Sequence, residues 1–352
     1  MQKIIIFLVA VVSSATFTYI TKSWAKENRL LDIPNKRSSH STPKPKCGGI
    51  SVALIMLLFG LALYFFNYLS LNSAAALFGG GLIVAGVGFW DDIKGYVHPK
   101  HRLFAHIVAG FFAMFLISGF PELYIGPYML NLGFVGFFVG VFLIVGFVNI
   151  FNFMDGIDGI SGSQVLFFSL GTLLLKNISP LSSETAMLFL LALAGVSLGF
   201  LIWNWAPSKI FLGDVGSCFL GFIMMVSILI ISNAESTLFW PLMILIGVYI
   251  VDTSYTLFKR IIDGQKWYEA HRTHAYQKAA IKYESHKKVV KAISLINLLW
   301  LLPLAVLALT IPAWGIFILM VAYFPLVVFS FKLRAGEKEG EKKAIFREYQ
   351  TE

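Results

Sequence analysis

Five aspartates in three short polar stretches hold most of the chemistry open to this chain. They are Asp91 and Asp92 in GFWDDIKG, Asp155 and Asp158 in FNFMDGIDGISG, and Asp214 in NWAPSKIFLGDVGS. In the second stretch Asn149, Asn152, Asp155 and Asp158 recur at every third position. That spacing keeps neighbours on one face for as long as a helix lasts, and Gly156, Gly159 and Gly162 then permit a tight turn and close approach of backbone to a ligand. Asp and Gly are ordinary turn formers, yet two amides leading into two carboxylates exceed what a turn needs. Asp91 and Asp92 close an apolar run, with Gly95 placed to end a helix. Carboxylates at a helix C-terminus oppose the dipole and call for a cation nearby. The third stretch adds Asn204, Lys209 and Ser217 around Asp214, with Lys209 equally readable as a substrate contact or as an anchor at a membrane border.

Several carboxylates gathered at one place suit a hard divalent ion. Mg²⁺, or Mn²⁺ in its place, takes a few carboxylates and completes its shell with water and substrate phosphate. Zinc would require Cys or His at spacings this chain lacks. Two further stretches carry basic and imidazole groups. WYEAHRTHAYQK presents His271 and His274 on one helical face with Arg272 between them as a phosphate fork, although a basic juxtamembrane helix would look the same. IPNKRSSHSTPKPKCGGIS brings Lys36, Arg37, His40, Lys44 and Lys46 ahead of a Gly-Gly pair, fit for anionic headgroups or for a diphosphate. Asp252, inside an apolar run, reads either as a substrate contact or as the partner of a neighbouring helix.

The elements that must position these groups are membrane helices. The 352 residues are 57% hydrophobic and 13% charged, with a mean hydropathy of +0.76, far from the roughly 25% charge of a soluble domain. Apolar runs without alternation predict helices rather than barrel strands, at about 3–20, 48–66, 73–90, 103–120, 134–150, 163–176, 186–203, 211–232, 238–258, 289–309 and 312–331. The first run lacks a small-residue cleavage site and reads as a retained helix rather than a signal peptide. The fold class is thus all-α and polytopic, with eleven spans in a single domain over 1–331 and a charged tail over 332–352.

Charge orients it. Residues 21–47 hold seven Lys or Arg against two acids, and residues 259–288 hold eight against three, whereas the alternate loops hold none. The positive-inside rule puts the N-terminus outside and the basic loops, including 259–288, in the cytoplasm together with the tail. Every aspartate-bearing stretch then faces the cytoplasm, and the bland outer loops argue against a receptor or adhesin. The net charge of +9 follows from this topology and is no sign of nucleic acid. Two cysteines, Cys47 and Cys218, make neither a disulfide framework nor a metal site. A transporter would place its charges deep in the spans or show inverted broken repeats.

Taken together, these motifs in this order resemble the polyprenyl-phosphate N-acetylhexosamine-1-phosphate transferases of glycosyltransferase family 4, over nearly the whole chain. The resemblance implies transfer of a sugar phosphate from a UDP-N-acetyl-hexosamine to undecaprenyl phosphate with release of UMP, at the cytoplasmic face of a bacterial inner membrane. By position, Asp91 and Asp92 match the family's paired acids. Asn152, Asp155 and Asp158 match its Asn-rich DGxDG segment, and Asn204 and Asp214 the segment ending in GD-x-GS. Metal would fall to Asp214 with Asp91 or Asp155, and the nucleotide pocket to Asn204 and Asp155. His271 and His274 would meet the nucleotide phosphates, with Arg272 and Lys46 as further phosphate contacts. Where peptidoglycan-type members carry consecutive histidines, this chain reads His-Arg-Thr-His. That departure is similar to the O-antigen or capsule branch using 6-deoxy amino sugars; N-acetylglucosamine-1-phosphate transfer is the alternative. A homodimer and contacts with membrane lipids stay open.

Overall fold

The computed structural model describes residues 2–34, 42–179, 184–266 and 271–337. Lys36, Arg37 and His40, and the tail from residue 338, lie outside the described residues. The described residues are mostly helical, and helices stand at every place the apolar runs predict. Among the described residues seven are long and apolar enough to cross a membrane: α1 (Gln2–Glu27), α3 (Leu71–Lys94), α5 (Gly133–Met154), α7 (Glu184–Asn204), α8 (Gly213–Ala234), α12 (His286–Thr310) and α13 (Pro312–Lys332). An eighth is the pair α9 (Ser236–Leu245) and α10 (Gly247–Ile262), taken as one span bent by 65°. The apolar α2 (Gly49–Phe65) is shorter, and α4 (Pro99–Leu116) and α6 (Ile160–Ile178) fall outside that set. The short α11 (Ala275–Tyr283) precedes α12. Leu31–Asp32 pairs antiparallel with Lys44–Pro45, bringing Asp32 opposite Lys44.

The bundle is organised around α8, whose apolar stretch is 94% buried. Lipid tails give helices no hydrophobic reason to associate, so close backbone approach through small residues supplies the contact. A Cβ on Gly49 of α2 would stand 2.1 Å from the Gly216 Cα, one on Gly88 of α3 2.5 Å from the Asp214 carbonyl oxygen, and one on Gly221 2.8 Å from the Phe151 Cβ of α5. Three neighbours are thereby pressed on α8. Two of them, α3 and α5, carry Asp91, Asp92 and Asn152 at their C-terminal ends, and α8 carries Asp214 in its first turn.

The bend between α9 and α10 frees backbone carbonyls inside the bundle, and side chains take them up. Gln164 donates to the Leu245 oxygen at 3.0 Å and in turn accepts from Asn297 at 2.9 Å, while the Tyr323 hydroxyl donates to the Met243 oxygen at 2.7 Å. Irregular backbone inside a membrane protein is stable only when satisfied in this way.

Candidate functional site

Helix ends build the site. α3 continues through Asp91 and Asp92 to Lys94 and stops at Gly95, which is left-handed at φ +76 and donates its N–H to the Asp91 carbonyl at 2.8 Å. α5 runs to Met154, so Asn152 keeps helical geometry while Asp155 already lies beyond the last turn. α8 begins at Gly213, also at φ +76, where a Cβ would fall 2.5 Å from an Asp92 carboxylate oxygen. Only glycine leaves room for that carboxylate to accept the Val215 N–H, at 3.1 Å, from the first turn of α8. An anion at a helix N-terminus is where the dipole favours it.

Between α3, α5 and α8 sits a cation that the motif reading did not single out. Arg102, in the first turn of α4, places Nη1 2.9 Å from Asp91 and 2.7 Å from Asp214, and its Nη2 donates to the Asn152 oxygen at 3.1 Å. The Asn152 amide nitrogen donates to Asp214 and to the Ser217 hydroxyl, both at 2.9 Å. The backbone N–H of Val97 donates to the other Asp91 oxygen. A fork with five donors is the side chain suited to holding two carboxylates and an amide oxygen together. The signal for it was the Pro at the first helical position, Pro99, which starts α4 four residues before 103 and puts Arg102 inside the helix rather than in the flank.

The cleft above this cluster has a volume of about 430 Å³. Asp91, Asp92, Asn152, Asp155, Asp158, Asn204 and Asp214 line it, together with Lys46 and three residues not singled out from the sequence, Asp32, Phe211 and Gln277. Asp155 is pushed up to about 8 by burial, with the charges of Asp214, Asp92 and Asp158 acting in the same sense. Asp158 goes the other way. Burial alone would raise it, but hydrogen bonds from His286 and from the Ser208 N–H and hydroxyl, with Lys44 nearby, hold it well below the usual carboxylate range. Its oxygens meet Ser208 N at 3.0 Å, Ser208 Oγ at 2.8 Å and Lys44 Nζ at 3.5 Å. Asn204, also lining the cleft, accepts the Gly159 N–H at 3.0 Å and donates to the Ile210 oxygen at 2.9 Å, tying two loops.

Other expected contacts stand away from the cleft. Asn149 donates to the Val145 oxygen at 2.7 Å within its own helix and approaches His106 Nδ1 at 3.4 Å. Lys209 is exposed and lies 5.3 Å from the Trp203 ring. His271, Arg272 and His274 are not among the lining residues. The two imidazoles stack at 4.9 Å, and burial together with His274 and Arg260 pushes His271 down to about 3. His274 faces Asp252 at 3.3 Å, and Asp252 also accepts the N–H groups of Ala275 and Tyr276, each at 2.9 Å. Asp252 is therefore an anion at the start of α11, the neighbour-helix role of its two readings. The Tyr276 hydroxyl donates to the Phe153 oxygen at 2.9 Å, which fastens α11 to the end of α5.

The oxygen donors fit a divalent cation. Asp91, Asp214 and the Asn152 carbonyl already converge on one positive group, although no three His, Cys, Asp or Glu side chains among the described residues are grouped so as to hold a metal ion by themselves. A partial oxygen shell of this kind suits Mg²⁺, which recruits water and substrate phosphate for the remaining positions.

Residues 74–232 match the family model described as glycosyl transferase family 4. The chain is 30% identical over 267 residues to the phospho-N-acetylmuramoyl-pentapeptide-transferase of Streptococcus pneumoniae serotype 19F, covering 73% of this chain and 79% of the relative. It is 26% identical over 336 residues to a probable undecaprenyl-phosphate N-acetylglucosaminyl 1-phosphate transferase of Bacillus subtilis, covering 93% and 89%. A Streptococcus agalactiae phospho-N-acetylmuramoyl-pentapeptide-transferase is 29% identical over 277 residues, covering 74% and 79%.

Proposed function

The chain belongs to glycosyl transferase family 4, and on that premise we propose that it transfers an N-acetylhexosamine 1-phosphate from a UDP-sugar to undecaprenyl phosphate. The observation that carries this reading is the convergence of Asp91, Asn152 and Asp214 from three helix ends on one cation at the edge of a cleft. In the reaction an oxygen of the lipid phosphate attacks the phosphorus that bears the sugar, the bond from that phosphorus to the bridging oxygen breaks, and UMP leaves. Both reactants are anions, so the barrier is charge repulsion and alignment. Asp214, Asp91 and the Asn152 carbonyl would hold a Mg²⁺, with Asp155 next to it in the cleft. The ion, when bound, neutralises charge on the phosphoryl oxygens.

The chain's own groups do the rest. Arg102 bridges Asp91 and Asp214 and offers its fork to phosphate once they engage the ion. Asp92 is spent on the N-terminus of α8, so it orients Asp214 rather than abstracting a proton, and a lipid phosphate already ionised needs no base. Lys46 adds a mobile positive charge to the cleft. Asn204 and Asp158 position the two loops that bound it.

The positive charge of residues 21–47 and 259–288 supports a cytoplasmic cleft, N-terminus outside, with 1–331 acting as one unit. The His-Arg-Thr-His sequence favours a 6-deoxy amino sugar and an O-antigen or capsule product. The Bacillus relative's name favours N-acetylglucosamine 1-phosphate instead. The test is UMP release by the purified chain with undecaprenyl phosphate, Mg²⁺ and a panel of UDP-N-acetyl sugars. Lipid-dependent UMP that EDTA abolishes is expected, and the fastest donor assigns the branch. No UMP with any donor, from protein that stays folded, overturns the assignment.

A further inference from the structure

The helix α11 sends one side chain, Gln277, to the cleft. Its carboxamide is held by its surroundings: Oε1 accepts the His274 N–H at 3.3 Å, and Nε2 lies 3.0 Å from where a Cβ on Gly156 would stand. A carboxamide whose oxygen is engaged still has its two N–H donors to offer, and here the side chain that carries them lines the cleft. The other two carboxamides of the cleft already have acceptors for their nitrogens. Asn152 gives its nitrogen to Asp214 and Ser217, and Asn204 gives its nitrogen to Ile210. The Gln277 nitrogen has no acceptor among the described residues.

The sugar of a nucleotide donor is neutral, and its groups differ in what they need. Hydroxyls and the acetamido N–H can donate to the six aspartates that line the cleft. The acetamido carbonyl only accepts, and an ionised carboxylate cannot serve it. We propose that Gln277 is a specificity residue whose Nε2 donates to the acetamido carbonyl of the donor hexosamine, a role that rests on the transferase reading and names the group by which that site recognises its sugar. His271 and His274 then contribute indirectly, through the Asp252 clamp that fixes the start of α11.

The full-length protein in detergent tests this by calorimetric binding of UDP, UDP-N-acetylglucosamine, UDP-glucose, UDP-N-acetylgalactosamine and UDP-galactose. The variants are Gln277→Glu, which keeps the oxygen that caps α11 but loses the donor, and Gln277→Ala. Wild type should bind each N-acetylated donor more tightly than its hydroxyl counterpart. Both variants should erase that preference through a loss of about tenfold on the acetamido donors, the scale of one hydrogen bond, while UDP and the plain sugars change by less than about twofold. A wild type without the preference, variants that retain it, or equal weakening of all five ligands would overturn the proposal. UMP release measured alongside separates the two ideas: acetamido-dependent binding without turnover sinks the transferase reading and leaves Gln277 in place.

Discussion

The two ends of α8 each carry an acid paired with a base, and the pairs differ in one respect. At the C-terminal end Glu235 meets Lys176 at 2.8 Å with side chains 5% and 3% exposed, and Ser179 and Thr237 also donate to it. At the N-terminal end Asp214 meets Arg102 at 2.7 Å with side chains 28% and 21% exposed. The distances are alike, but the surroundings are not. A sealed pair has exchanged its water for fixed partners, so it fastens the ends of α6 and α8 and nothing else can reach it. An open pair beside a cleft can exchange its cation for another. The lesson is that ion-pair geometry alone does not separate a clamp from a reactive site; access does.

Breaking each pair should show this. Glu235→Gln leaves Lys176 charged and buried, which costs about 3–5 kcal/mol of stability. Thermal unfolding in detergent should fall accordingly, with UMP release per folded molecule unchanged. Asp214→Asn should do the reverse, lowering turnover by about 10²–10³-fold, the scale of losing one preorganised electrostatic group, with a much smaller change in unfolding temperature. If both variants lost stability and neither lost turnover specifically, the distinction between the two ends would collapse.

Arg102→Ala sharpens the contrast at the open end. Removing the guanidinium leaves Asp91 and Asp214 facing each other without their cation, so the variant should lose stability by about 1–3 kcal/mol in EDTA. Mg²⁺ should restore more of its unfolding temperature than it adds to wild type, because an ion that binds only the folded state stabilises by mass action. An equal Mg²⁺ shift in the two proteins would mean that the acids hold no ion where the guanidinium stood.

Much of this arrangement was legible from residues alone, and the exceptions have physical causes. The apolar runs located the helices because a membrane span must be long and uncharged. The count of eleven crossings did not carry over as simply, since among the described residues length and apolarity admit seven, or eight with the bent pair. Spacing at every third residue grouped Asn152 with Asp155, but Asn149 on the same stripe turns to its own helix and His106, because α4 packs on that side. Arg102 was hidden by its neighbours, as a basic flank at a membrane border is so common that its Lys, His and Arg look interchangeable. Asp158 looked like Asp155, with the same residue type in the same repeated Asp-Gly pair. Only their partners tell them apart, and those come from Lys44, Ser208 and His286, each at least 50 residues away in sequence.

The pair Asp155 and Asp158 allows a finer test of the same contrast. Asp158→Asn removes a charge from partners that are already fixed, so it should cost about 1–3 kcal/mol without any selective rescue by Mg²⁺. The sign of its pH dependence follows from a lowered folded-state value. The contribution of Asp158 is fully present above the ordinary carboxylate value, near about 4, and is lost as pH falls through its lowered value in the folded protein. The gap between wild type and Asp158→Asn should therefore stay constant from neutral pH down to about 5 and close only in strong acid. A gap that closed near neutral pH would place Asp158 with Asp155 instead of with the clamp.

Lys209→Ala is the smallest expected effect. The ammonium is exposed and its contact is the face of Trp203, which Lys22 also approaches, at 4.3 Å. Exposed cation–π contacts contribute about 0.5–1 kcal/mol, and loss of one of two cations over the same ring should fall at or below that range. Stability should shift by about 0.5 kcal/mol or less, and UMP release by less than about twofold. A tenfold rise in KM for the UDP-sugar would mean that Lys209 turns from Trp203 to the donor phosphates when the cleft fills, extending the reactive end of α8 past the residues that line it.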